Sequence, residues 1–167
     1  MSTKQREEIS MAWRPLFGAL SVSVLLLALA GCGAAPKATP TKLNISVAVA
    51  SNANPDTRNR PSPIVVRVYE LRAPAGFEAA DFFALFDKDR EALAADLQAR
   101  DEFTLQPGET KSIARDAKPE SRHIAVFAAF RDLERATWRG TVPLVAGKPN
   151  NLRVIVEGRT ISVRPAQ

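Results

Sequence analysis

Leu43-Asn44-Ile45-Ser46-Val47-Ala48-Val49 sets an apolar side chain at every second position, the signature of a strand with one buried face. The chain then runs through Ser51-Asn52-Ala53-Asn54-Pro55-Asp56-Thr57-Arg58-Asn59-Arg60-Pro61-Ser62-Pro63, which apart from Ala53 and the prolines holds no apolar residue. Such a segment has little to bury and is expected to stand out from the domain as a loop. Ile64-Val65-Val66-Arg67-Val68-Tyr69-Glu70-Leu71 follows, β-branched and apolar on both faces, which predicts a central strand. A half-buried strand, a long polar loop and a fully buried strand point to a β architecture.

Downstream, residues 76–100 change period. Phe82, Leu85 and Phe86 fall on one helical face, Leu93 and Leu97 follow four apart, and Asp89 is placed to act as an N-cap. This predicts two short helices broken near Asp87-Lys88. Strand signals resume at Glu102 to Leu105, and Gln106-Pro107-Gly108-Glu109 has the Pro-Gly centre of a type II turn. Lys111 to Arg115, His123 to Phe130, Ala136 to Val142, Asn151 to Val156 and the pair Ile161 and Val163 read as further strands. About eight strands with one helical excursion, and no strand–helix alternation, predict a mainly antiparallel two-sheet β-sandwich over residues 42–167.

Upstream, the apolar run from Leu16 to Ala30 is 15 residues long. As a helix it spans about 22 Å, short of the roughly 30 Å of a bilayer core. It is preceded by Arg14 and ends in Leu27-Ala28-Leu29-Ala30-Gly31-Cys32, where small residues lead into the single cysteine. This is the pattern of a bacterial lipoprotein signal, with 1–31 as the signal peptide and Cys32 as the acylated first residue of the mature chain. Met11 offers an alternative start that leaves a short basic leader. Gly33, where an Asp would favour inner-membrane retention, points to the periplasmic face of the outer membrane. Residues 32–41, with Pro36 and Pro40 among small neighbours, form a lipidated flexible tether.

The mature chain carries 20 basic and 16 acidic residues, a net +4. Signs alternate locally, as in Arg131-Asp132 and Glu134-Arg135, so the charge reads as a solvated surface and not as a nucleic-acid footprint. The only histidine, His123, opens an apolar strand and reads as a packing or rim residue. With the one cysteine acylated, no thiol nucleophile remains, and there is no Cys/His metal set. Asp81, Asp87, Asp89 and Glu91 lack the spacing of a calcium loop and read as helix-capping and solvated residues. No glycine-rich phosphate loop is present. Phe82, Phe83, Phe86, Phe127, Phe130 and Trp138 recur at core periodicities. The sequence predicts no enzyme, no cofactor and no metal site.

The lipobox at Cys32, the strand ending Val49-Ala50-Ser51, Asn54-Pro55-Asp56, and Arg60-Pro61-Ser62-Pro63 running into Val66-Arg67-Val68-Tyr69 together resemble the TssJ (SciN) family of type VI secretion lipoproteins. Ala80-Asp81-Phe82-Phe83-Ala84-Leu85-Phe86 and Leu105-Gln106-Pro107-Gly108-Glu109 extend the resemblance. It implies a transthyretin-like sandwich with a small helical insertion. It also implies an outer-membrane anchor for the secretion core complex, bound to the periplasmic C-terminal domain of TssM and present in several copies in a ring. In that family the loop between the first two strands is implicated in the contact. Here it maps onto Asn52, Asn54, Pro55, Asp56, Arg58, Arg60 and Ser62. A competing reading is a pilotin-like or carrier lipoprotein that binds a lipid or peptide in a groove lined by Phe82, Phe83 and Phe86.

Overall fold

The computed structural model describes residues 39–166. The leader and Cys32 lie outside them. Within the described residues, eight strands form two four-stranded sheets. They are β1 (Lys42–Val49), β2 (Ile64–Leu71), β3 (Leu97–Leu105), β4 (Thr110–Asp116), β5 (His123–Ala128), β6 (Arg139–Pro143), β7 (Asn150–Glu157) and β8 (Thr160–Pro165). One sheet has the order β4-β1-β7-β8 and the other β3-β2-β5-β6. All neighbouring pairs are antiparallel except β1 and β7, which run parallel with Ile45 opposite Leu152. The first sheet is therefore mixed.

The alternation in β1 places Leu43, Ile45, Val47 and Val49 in the space between the sheets, all nearly solvent-free. They meet Ile64, Val66 and Val68 from β2 and Val154 and Val156 from β7. At ~25 cal/mol per Å2 of apolar surface removed from water, this interior is the main source of stability. At one side β6 and β8 are joined through Thr137, whose amide donates to the Arg159 carbonyl and whose carbonyl accepts from Ile161.

The apolar character of both faces of β2 has a second explanation in the helices. Two of them, α1 (Ala75–Ala79) and α2 (Phe82–Leu93), lie over the outer face of the second sheet. Phe77, Leu85 and Leu93 pack there on Tyr69, Leu71, Ala125 and Phe127. The expected break is present, since Lys88 has φ −138° and ψ 38° inside α2. Asp81 caps α2, accepting from the Ala84 amide at 2.8 Å.

Several expectations need correction. Helical structure ends at Asp96, because Leu97 already pairs with Leu71, so the helical excursion is shorter than 76–100. Asp89 does not act as a solvated cap. It is 8% exposed, accepts from the Tyr69 hydroxyl at 3.0 Å, and pairs with Arg100 at 2.7 Å and Arg67 at 3.5 Å. Arg67 also donates to Glu102 at 2.6 Å and to the carbonyls of Leu85 and Phe86. Burial, together with the Asp89 carboxylate, pushes the Tyr69 phenol up to about 12. This polar cluster pins α2 to the sheet. Phe83, placed in the core by periodicity, is 65% exposed, because it lies about 200° round the helix from Leu85 and so off the stripe of Leu85, Asp89 and Leu93 that α2 buries.

The chain enters the sandwich at Lys42, and β1 carries it about 23 Å to Val49 at ~3.3 Å per residue. The loop that follows β1 therefore sits at the end of the sandwich remote from the point of entry.

Candidate functional site

The loop from Ala50 to Pro63 is organised from its base by Asn54. That residue adopts φ 50°, in the left-handed region that asparagine tolerates better than most residues, and is 2% exposed. Its amide donates to the Gly158 carbonyl at 2.8 Å, its side-chain nitrogen donates to the Pro63 carbonyl at 2.8 Å, and its side-chain oxygen accepts from the Arg131 amide at 2.9 Å. One side chain thus ties the loop to its own far end and to the segment after β5. Ala53 is also buried, and Ser62, 7% exposed, donates its amide to the Ala53 carbonyl. The expectation that the whole segment stands away from the domain is therefore corrected. Its base is built into the sandwich, and only the tip projects.

Asp56 shapes the tip. One of its carboxylate oxygens accepts from the amides of Arg58 and Arg60 at 2.8 and 2.9 Å, and the other accepts from the Arg60 guanidinium. The Asp56 amide in turn donates to the Arg60 carbonyl. The backbone and side chain of Arg60 pull the Asp56 pKa down to about 2. A group held below its usual value stabilises the fold in its ionised form. The contribution is therefore complete above the ordinary carboxylate value, near 3.8, and is lost as pH falls through about 2. We expect the Arg58 and Arg60 amide resonances to keep their positions from pH 7 to about 4 and to move with a midpoint near pH 2 as Asp56 is protonated. A midpoint at the ordinary carboxylate value, near 3.8, or above it contradicts this assignment.

The tip forms one wall of an open cleft of about 860 Å3. The rest of its lining comes from Arg131, Asp132 and Arg135 after β5 and from Arg159 in the β7–β8 turn. Asp132 is held by Arg159 at 2.8 Å, with Arg135 at 3.8 Å. Of the residues singled out in the sequence, Pro55, Asp56, Arg58 and Arg60 line the cleft. Asn54 and Ser62 lie beneath it as buried supports, and Asn52 accepts from the Gly158 amide at 3.4 Å. The lining outside the loop was not expected. Its residues are remote in sequence from the loop, and local sign alternation made 131–135 look like ordinary solvated surface.

The aromatic residues of the competing reading do not line this cleft. Phe82 stacks on Phe127 at 5.0 Å and on Phe86 at 5.6 Å and meets Trp138 edge-on at 5.4 Å. These rings pack on one another, but Phe83 and, in part, Phe86 remain exposed, so the expectation that both are core residues is corrected. Among the described residues no group of three or more His, Cys, Asp and Glu is arranged to hold a metal, and no helix is long and apolar enough to cross a membrane.

Comparison with protein families matches residues 41–159 to the type VI secretion lipoproteins, a family that includes VasD, EvfM and TssJ. The chain belongs to this family. The matched region runs from the start of β1 to the β7–β8 turn and contains the loop and the rest of the cleft lining. Among solved structures, the T6SS lipoprotein TssJ1 from Pseudomonas aeruginosa is 36% identical, with a TM-score of 0.73 over 77% of this chain and 99% of that one. Lip from Serratia marcescens, a membrane-bound component of the type VI secretion system, is 26% identical, with a TM-score of 0.66 over 75% of this chain and 97% of that one. A chain in a structure described as the C-terminal domain of the T6SS protein TssM from EAEC is 25% identical, with a TM-score of 0.61 over 75% of this chain and 98% of that one. Comparison with curated proteins gave no match. The expected family and the β-sandwich with a helical insertion are both established by these matches.

Proposed function

We propose that this lipoprotein anchors the type VI secretion membrane core complex at the outer membrane, held there by acyl chains on Cys32, and that it binds the periplasmic C-terminal domain of TssM. The role is positional and involves no reaction. The observation that carries the reading is the built loop at Asn52 to Ser62. A segment with almost no apolar content is held by a buried asparagine and an ion-paired aspartate, which presents a fixed surface at the end remote from Lys42. Family membership supports the secretion role, and the likeness to a chain in the TssM structure supports the choice of partner. Each contact need only be moderate, because several anchored copies in a ring raise the effective concentration of the rest.

The test is a titration of the TssM periplasmic C-terminal domain into the full lipidated chain in detergent. Replacing Thr57, Arg58 and Asn59 by glycine and serine alters the tip and leaves Asn54 and Asp56 in place. We expect affinity to fall at least about tenfold with the melting temperature unchanged. Equal affinity for both chains removes the loop from the interface.

A further inference from the structure

The cleft at the loop tip is unbalanced in charge. Arg58, Arg60, Arg131, Arg135 and Arg159 line it against two carboxylates, and both of those are already engaged. Asp56 is taken by Arg60 and by backbone amides, and Asp132 by Arg159 with Arg135 at its side. Arg58 and Arg131 are exposed and, among the described residues, have no carboxylate partner. One comes from the loop tip and the other from the segment after β5. Their backbones are fixed, since the Arg58 amide is held by Asp56 and the Arg131 amide by the buried Asn54.

Guanidinium groups are planar, always charged, and form paired hydrogen bonds with carboxylates. Two of them lining one cleft from different segments, each with its backbone amide held, are suited to receive acidic side chains. The loop offers no large apolar anchor of the kind that usually dominates an interface, so charge must supply the recognition. A concave shape suits a chain segment better than a flat lipid surface. The cleft also lies at the end of the sandwich away from Lys42, where the anchored tether enters.

We propose that this cleft binds an acidic segment of the partner protein, with Asp or Glu side chains seated between Arg58 and Arg131. The inference rests on the proposed TssM interaction and adds the chemistry of recognition to it. Because the arginines are exposed, the contact is screened by salt and acts largely on the association rate.

The test compares the full lipidated chain with an Arg58→Glu/Arg131→Glu variant in titrations with the TssM periplasmic C-terminal domain, at low and high salt. We expect the wild-type affinity to fall with added salt, the variant to bind about 10- to 100-fold more weakly at low salt, and its salt dependence to be largely lost. A variant with lysine at both positions should retain part of the binding, since it keeps the charge and loses the paired geometry. Equal binding by wild type and double-glutamate variant, with the same salt dependence, overturns the acidic-segment proposal and leaves the TssM reading standing. No binding of the TssM domain by wild type overturns both. A third outcome is read with the Cys32→Ser chain, which lacks acyl anchors. If charge reversal spares TssM binding and instead lowers binding to phosphatidylglycerol vesicles, the cleft reads lipid head groups, and the proposal fails.

Discussion

Replacing Glu70 by alanine is expected to cost the sandwich about 3–5 kcal/mol, a drop in melting temperature on the order of 10 °C. Glu70 has no solvent exposure and lies on the inner face of β2, in line with Val66 and Val68. Its carboxylate accepts from Arg115 at 2.9 Å, from the Lys118 amide at 2.7 Å and from the Ser121 hydroxyl at 2.7 Å. Arg115 comes from β4 in the opposite sheet and is also clamped by Asp101 of β3 at 2.6 Å. One buried carboxylate thus links both sheets and the turn after β4. Removing it leaves a half-buried guanidinium with one partner fewer and two orphaned donors, and an unpaired buried group costs more than a lost contact alone. Thermal denaturation followed by circular dichroism checks this. Glu70→Gln, which keeps the volume and one acceptor, should lose less. A melting temperature for the alanine variant within a degree or two of wild type contradicts the assignment.

The second large effect concerns location. Cys32→Ser is expected to release the chain from the outer-membrane fraction altogether while leaving the sandwich folded, since the first strand begins ten residues further on, at Lys42. Acyl chains contribute about 0.8 kcal/mol per buried methylene, so two or three chains hold a protein stably, and a polar tether holds nothing by itself. Membrane fractionation and intact-mass measurement of the wild-type amino terminus check this. A variant that still sediments with the outer membrane, or a wild-type chain without added lipid mass, contradicts the anchor.

The strands were legible because their burial pattern has a period of two, and tertiary packing obeys it. Leu43, Ile45, Val47 and Val49 all face the interior as the alternation requires. The break at Lys88 and the turn at Gly108, with φ 86°, were legible because backbone chemistry decides them locally. Pairing was not legible. The parallel contact of β1 with β7 joins residues more than 100 positions apart, and nothing in either strand names the other. Polar residues buried by distant partners were also hidden. Asp89 looks like a helix cap until Tyr69, Arg67 and Arg100 are brought to it by the sheet.

The candidate site divides in the same way. The loop was visible as a proline-rich polar gap between two strands. The role of Asn54 was not, because its partners Arg131 and Gly158 come from other turns. Nor was the cleft. Alternating signs at Arg131, Asp132, Glu134 and Arg135 suggest neutrality, but Asp132 is held by Arg159, and the local balance shifts to positive.

Contact between the loop and TssM is read by a photo-crosslinking residue at Thr57, on the exposed loop tip, in the full chain expressed in cells with an assembled secretion system. A crosslinked species containing TssM is expected from Thr57, and none from the same residue at Phe83 on the exposed flank of α2. A crosslink to TssM from Phe83 alone, or no TssM adduct from Thr57 when both proteins are present at the envelope, contradicts it.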